Sequence, residues 1–455
     1  MEILRRMRGR GVMLGSDLLD SGTAELPAKT AGSSRSAQDS PFDDLFPDAE
    51  TLAGRDGGRC RRVFSRVGLD GTRSAQGYCC PADDWAGPPA SWDLASLTGD
   101  QCWADVDPGR VLYLDTETTG LATGAGTYTF LVGLGRFESG RFTVEQFYME
   151  DYGDEPALID HLDAALAQAE ALVTYNGRSF DLPLLETRWY MQRRRPRFPA
   201  LHLDLLHHAR RLWRLRLPDC TLSTVESRIL GVDRMNDVDG ALIPGIYFDF
   251  LRGERPERMV AVFDHHAQDI FTLGVLASAL IRGLREPGDQ RFAHAGDQWG
   301  LARLYERLGR PEEAIAAMER AVLAARDEDF AYRLAMHLAR AYKRRGRLEE
   351  AVAIWKARVA QSNVPRIEAL VALAIHAEHT LRDFHASRRW TRRALDIIEQ
   401  HTEMTWHGPL PAAGEMESRQ ARVIERQSEA LRHRLARLER RLERLGVGGI
   451  KGPQA

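Results

Sequence analysis

Val111-Leu-Tyr-Leu-Asp115-Thr-Glu117-Thr-Thr-Gly120-Leu121 runs four apolar or aromatic residues directly into two carboxylates spaced i, i+2, and closes on a Thr-Thr-Gly turn. This is the pattern of a buried strand that ends in an acidic site. Side chains of a strand alternate between faces, so Asp115 and Glu117 point the same way and repel each other. A hard divalent cation such as Mg²⁺ or Mn²⁺ would relieve the repulsion, because it accepts carboxylate oxygens and keeps water or phosphate oxygens in its other positions. A strand end with two solvated acids is the plainer alternative, and only context separates the two.

The flanking sequence supplies that context. Beyond the Gly-rich turn at Gly120, Gly124 and Gly126, the segments Thr127–Gly135 and Arg141–Tyr148 are enriched in β-branched and aromatic residues. With the first strand they predict an antiparallel meander of three strands, Glu138-Ser-Gly140 forming one of its turns. Leu158, Ile159, Leu162, Ala165 and Leu166 recur at helical spacing between Glu155 and Ala169. Ala171–Tyr175 then reads as a fourth strand that breaks at Asn176-Gly177, and a helix follows over Leu182–Met191. This order predicts an α/β domain with a mixed sheet and flanking helices.

Ligands of such sheets bind beyond the carboxyl ends of the strands. Two of those ends are acidic or polar, at Asp115/Glu117 and at Asn176-Gly-Arg-Ser-Phe-Asp181. A third polar element is His265-x-x-x-Asp269, one turn apart on a helix whose apolar residues include Val262, Ile270, Leu273 and Leu276.

Together, Asp115-x-Glu117-Thr-Thr-Gly-Leu, Asn176-x-x-x-Phe180-Asp181 and His265-x-x-x-Asp269 resemble the DEDD superfamily of 3′→5′ exonucleases, which have a ribonuclease H-like fold. Leu222-Ser-Thr-Val-Glu226 and Asn236-Asp-Val-Asp-Gly-Ala-Leu-Ile-Pro244 bring the likeness closer to the YprB-type ribonuclease H-like domain, often joined to tetratricopeptide repeats. The resemblance implies that Asp115, Glu117, Asp181 and Asp269 bind two divalent ions, Mg²⁺ or Mn²⁺. It implies that His265 acts on the attacking water, Asp204 supports the metal ligands from behind, Thr118 and Leu121 lie near the terminal nucleotide, and Asn176 helps to bind the substrate. Two close dications do require several anionic ligands, and an imidazole suits proton transfer near neutral pH. One departure stands out: family members with a histidine place it five residues before the last Asp, where this chain has Asp264, and His265 stands at minus four. Asp204 also fits a helix N-cap.

Residues 188–216 hold nine arginines against one acid, Asp204. Arg193, Arg194 and Arg195 are its densest point and are candidate phosphate contacts, since guanidinium forks match phosphate oxygens. A solvated face is the competing reading. Trp189, Tyr190, Phe198 and Trp213 are interleaved with the arginines and would either stack on bases or pack a core.

In the last third, Ala302, Tyr305, Gly309 and Ala314 are echoed 37 residues later by Ala339, Tyr342, Gly346 and Ala351, close to the tetratricopeptide period of about 34. With a weaker unit over Ala369–Ile398 this predicts an all-α solenoid of two to three repeats, a common surface for a protein partner. Ile424, Leu431, Leu435, Leu438, Leu442 and Leu445 form the seam of a final helix over Glu417–Leu445, read as a cap on the solenoid rather than a coiled-coil dimer.

The 455 residues thus divide into a flexible or loop-rich region at 1–107, a ribonuclease H-like domain at 108–283, repeats at 296–400 and a capping helix at 417–446. A net charge of -3 excludes a globally basic nucleic-acid binder. The five cysteines form no C-x-x-C pair and read as reduced thiols, although Cys60, Cys79, Cys80 and Cys102 leave a small metal or redox site open. Neither a cleavable apolar leader nor a run of 18 apolar residues is present, so the expectation is a soluble cytoplasmic protein without membrane contact. The function expected is metal-dependent 3′→5′ exonuclease action on single-stranded or frayed nucleic acid. The alternatives are a non-cleaving scaffold and an endonuclease on the same fold.

Overall fold

The computed structural model describes residues 40–68, 91–120, 124–138, 141–232, 234, 237–361, 367–405 and 415–447. Expectations for residues 1–39, Cys79, Cys80 and Leu121 lie outside them. Residues 40–48 carry one short helix, α1 (Pro41–Leu45), whose first turn is capped by the Ser40 hydroxyl, and belong to a unit of their own.

From Ala49 onward the chain builds a seven-stranded mixed sheet in the order β1-β2-β5-β4-β3-β6-β7. The strands are β1 (Glu50–Ala53), β2 (Arg59–Gly68), β3 (Val111–Thr118), β4 (Thr129–Glu138), β5 (Arg141–Tyr148), β6 (Ala171–Thr174) and β7 (Leu201–Asp204). β3, β4 and β5 form the antiparallel meander, while β6 and β7 run parallel to β3. Two strands alter the sequence reading of residues 1–107 as flexible or loop-rich. β2 pairs with β5 from Arg61 to Gly68, and β1 pairs with β2. Arginines at 59, 61, 62 and 66 mask the strand pattern; Arg61 meets Glu150 at 2.7 Å, and Arg62 pairs with Glu50. The helix α2 (Ser91–Thr98) adds further order to that region.

Alternation along β3 assigns its residues to two layers. Leu112 and Leu114 pack with α3 (Glu155–Leu166) and α4 (Asp181–Met191) through Leu158, Leu162, Leu185 and Trp189. Val111 and Tyr113 face the opposite layer, where Phe142, Val144 and Val173 meet Ile270, Phe271 and Leu273 of a long helix. Between β7 and that helix come α5 (Leu205–Trp213) and α6 (Ile243–Leu251). The long helix, α7 (Arg258–Arg285), has the length and apolar composition of a membrane span, yet nearly all of its apolar residues are buried in the protein.

Six helices follow as three pairs: α8 (Ala295–Arg307) with α9 (Pro311–Ala324), α10 (Glu328–Arg344) with α11 (Leu348–Gln361), and α12 (Ile367–His376) with α13 (Phe384–Thr405). The final helix, α14 (Glu415–Val447), lies against the last pair by burying Leu431 and Leu435. Only the middle of its predicted seam is covered, since Ile424 and Leu445 are exposed. The core does not stop at the repeats: the cluster beneath α7 continues through Phe292, Leu301, Leu304 and Tyr305.

α7 can lie this close to the sheet because β4 has no side chain where the two cross. A Cβ on Gly133 would stand 1.9 Å from Ile270 Cδ1 and 2.6 Å from His266 Cε1, far inside van der Waals contact. Gly133→Ala should therefore destabilise the fold by about 1–3 kcal/mol through overpacking, measured as a lower urea midpoint. An unchanged midpoint would contradict this seating of the helix.

Candidate metal centre

The three parallel strands end side by side, which brings Asp115, Asn176 and Asp204 to one end of the sheet. Asp115 and Glu117 lie on the α7 face of β3, half-buried, with Thr116 on the other face. α7 presents His265 and Asp269 to them. Glu117, His265 and Asp269 each offer a ligand atom, and these atoms lie within 4.8 Å of one another. Asp181, buried at the first turn of α4, comes from the opposite layer, and Thr116 Oγ1 donates to its carboxylate at 2.5 Å.

Two devices hold the frame. Gln146 Nε2 lies 3.1 Å from Nδ1 of the buried His266, whose Nε2 lies 3.2 Å from the Asp115 carbonyl. With the glutamine amide donating to Nδ1, the other ring nitrogen carries the proton and donates to that carbonyl. Burial pushes His266 down to about 4, so the ring stays neutral. The second device is Asp204, which caps α5 through Leu206 N–H at 3.1 Å and also accepts Asn176 N–H at 2.9 Å and Arg178 N–H at 3.2 Å. It thereby holds the turn that leads into Asp181. Asn176 sits there in the left-handed region, at φ 65°, and a Cβ on Gly177 would come within 2.5 Å of Thr174.

Electrostatics make the site a proton or metal sink. Burial, then the charges of Asp181, Asp269 and Glu117, push Asp115 well above the usual carboxylate range, with Arg234 opposing. Glu117 rises to about 8 through burial and the charges of Asp269, Asp181 and Asp237, against the pull of His265. Asp181 rises to about 6 through burial, with the Thr116 bond opposing. Burial alone would lower His265, but its 2.7 Å Nδ1 bond to Asp237 and the charges of Asp269 and Glu117 raise it to about 9. Crowded oxygen donors with an imidazole beside them suit Mg²⁺ or Mn²⁺. Asp264, at the minus-five position, is exposed, whereas His265 reaches the carboxylates, 3.5 Å from Asp269.

Several other residues singled out from the sequence have partners within the protein. The Thr118 hydroxyl donates to the Gly120 carbonyl at 2.8 Å and stays buried in its own turn. Arg193, Arg194 and Arg195 follow α4, and Arg194 lies beside α3, where Asp160 binds it at 2.7 Å. The same carboxylate accepts the Arg55 N–H, in the turn between β1 and β2, at 2.7 Å. Arg188 is buried: it grips Glu155 with both prongs and donates to the Ala125 carbonyl at 2.7 Å. Trp189 and Trp213 are core residues, and of the interleaved aromatics Tyr190 alone is largely exposed.

Three functional candidates escaped the sequence reading. Arg234 pairs with Asp269, lies 2.7 Å from the fully buried Glu226 and 3.2 Å from Asp237, and approaches His265 Nδ1 at 3.4 Å. Glu226 in turn accepts the Thr272 hydroxyl. Only the phrases containing Glu226 and Asp237 gave a hint, because neither residue has a spacing that points to the metal-ligand motifs.

The stretch 112–281 matches the family model of the ribonuclease H superfamily. Residues 298–328 match the tetratricopeptide repeat. The uncharacterized protein YprB of Bacillus subtilis (strain 168) is 32% identical over 357 residues, an alignment covering 77% of this chain and 79% of that protein. The chain belongs to the YprB family of the ribonuclease H superfamily. Membership fits what the geometry shows: acidic residues collected at the carboxyl end of a mixed sheet, followed by helical repeats.

The raised carboxylates fix the sign of a pH dependence. Asp181 and Glu117 hold protons in the folded state that the unfolded chain releases, so the metal-free protein loses stability as pH rises from about 4 to about 8. Mn²⁺ competes with those protons and relieves the repulsion. The rise in melting temperature on adding Mn²⁺ should therefore be larger near pH 8 than near pH 5.5, with protons released on binding. A rise independent of pH would contradict this electrostatic account.

Proposed function

We propose that this protein is a divalent-metal-dependent nuclease that removes nucleotides from the 3′ end of single-stranded or frayed nucleic acid. The observation that carries the reading is the convergence of Asp115, Glu117, Asp181 and Asp269, from a strand and two helices in different layers, with burial and mutual charge raising the first three. These four residues would hold two ions, which supply a polarised water and charge stabilisation at the leaving oxygen. The 3′ polarity follows from the resemblance of the Asp115-x-Glu117 motif to DEDD exonucleases.

His265 is assigned the proton transfer. Its Nδ1 is engaged by Asp237 at 2.7 Å, which leaves Nε2 as the exchanging nitrogen beside Asp269. A protonated His265 cannot act as a base. Cation binding at the neighbouring carboxylates removes part of the negative field that keeps it protonated, and so brings its proton affinity down toward the working range. Asp204 positions the Asn176 turn. The helical repeats are assigned to a protein partner.

The test is digestion of 5′-labelled single-stranded DNA and matching RNA with Mn²⁺ or Mg²⁺, comparing wild type, Asp115→Ala and Asp269→Ala. A ladder shortening from the 3′ end, reduced more than about a hundredfold in both variants, is the expected result. Internal fragments would replace exonuclease by endonuclease action. A mobility shift with both strands intact would make the protein a non-cleaving binder.

A further inference from the structure

Arg234 is the cation most deeply engaged with the acidic centre, and its surroundings explain why it stays there. Glu226, 1% exposed, is locked by the Thr272 hydroxyl on one oxygen and lies 2.7 Å from Arg234 Nη2 on the other. The same Nη2 meets Asp269, while Nη1 reaches Asp237 at 3.2 Å. A guanidinium held from three sides in this way cannot be neutralised, since arginine keeps its charge in proteins. Its buried Nε–H has no hydrogen-bond partner among the described residues.

Asp269 also belongs to the group with Glu117 and His265 whose ligand atoms lie within 4.8 Å of one another and could hold a dication. A metal ion and Arg234 therefore share one carboxylate, and two positive groups at that separation repel strongly in a partly buried site. An anion placed between them removes the repulsion. On the nuclease reading that anion is a phosphate of the substrate, which a guanidinium and a metal can bind together.

We propose that Arg234 couples metal loading to substrate: it weakens dication binding in the empty site and strengthens it once a nucleotide phosphate is bound. The proposal rests on the metal-dependent reading above. Coupling of this kind is reciprocal, so the metal must raise nucleotide affinity by the same factor.

The test measures free Mn²⁺ by electron paramagnetic resonance in titrations of the full-length protein, with and without saturating thymidine or uridine 5′-monophosphate. In wild type the nucleotide should tighten Mn²⁺ binding about tenfold, within the usual range of coupling between sites. Arg234→Gln should bind Mn²⁺ several-fold more tightly by itself and retain less than about twofold coupling; Arg234→Lys should keep most of it. Glu226→Gln separates charge from architecture, because both variants break the same ion pair. Loss of structure alone would weaken Mn²⁺ binding in both, whereas the charge effect tightens it in Arg234→Gln and weakens it in Glu226→Gln. Weaker Mn²⁺ binding in Arg234→Gln, or undiminished coupling, overturns the proposal while leaving the nuclease reading intact. Absence of Mn²⁺ binding in wild type would overturn both.

Discussion

Repulsion between carboxylates that the fold does not let go of is the constraint on which the rest of this structure depends. Free acids on a surface relieve such repulsion by turning away into water. Here they cannot: Asp115 is fixed through its own carbonyl by the neutral ring of His266, and Asp181 starts a helix whose entry turn is held by Asp204. Asp269 rides on a helix pressed against the sheet where Gly133 leaves room. The remaining outlet is positive charge, and the protein collects it in His265 and Arg234 as well as leaving a place for metal. The rigidity of neutral, well-packed surroundings thus maintains a charge imbalance that the acids alone would dissolve.

Much of this was legible in the chain. The run from Val111 to Glu117 showed both the strand and the direction of its two acids, because alternation is a local property. The meander, the helix at 155–166 and the helical repeats followed from equally local periods. What stayed hidden depends on distant partners. β2 carries four arginines and reads as loop until Glu150 and Glu50 are beside it. For Arg188 and Trp189 the sequence left nucleic-acid contact open beside a solvated face or a core, since nothing nearby in sequence shows that Glu155 and Asp163 receive them. Arg193, Arg194 and Arg195 stand together in the sequence as one basic cluster, yet Arg194 is drawn to Asp160, which also accepts the Arg55 N–H. Arg234 is the converse case: it lies 35 positions from Asp269 and shares no period with it, and only the turn of chain after Glu226 brings them into contact.

The ribonuclease H-like domain and the first repeat are joined by more than the connecting chain at Pro287-Gly288. Arg216 reaches across to the buried Asp297 at 2.8 Å and to the Arg291 carbonyl at 3.0 Å. Trp213 stacks on Phe292, with ring centroids 6.0 Å apart, and Phe292 fills the space beside Gly283 that any larger residue would need. The long helix and the first repeat consequently share one packed interior.

A joint of this kind has no slack, and that bears on how the repeats would serve a nuclease. A flexible leash raises the local concentration of an enzyme near its target and leaves every orientation open. A partner seated on this solenoid would instead fix both the distance and the angle at which the acidic centre meets its strand. The repeats would then act as a jig, selecting which ends can be reached by where the partner stands on the nucleic acid.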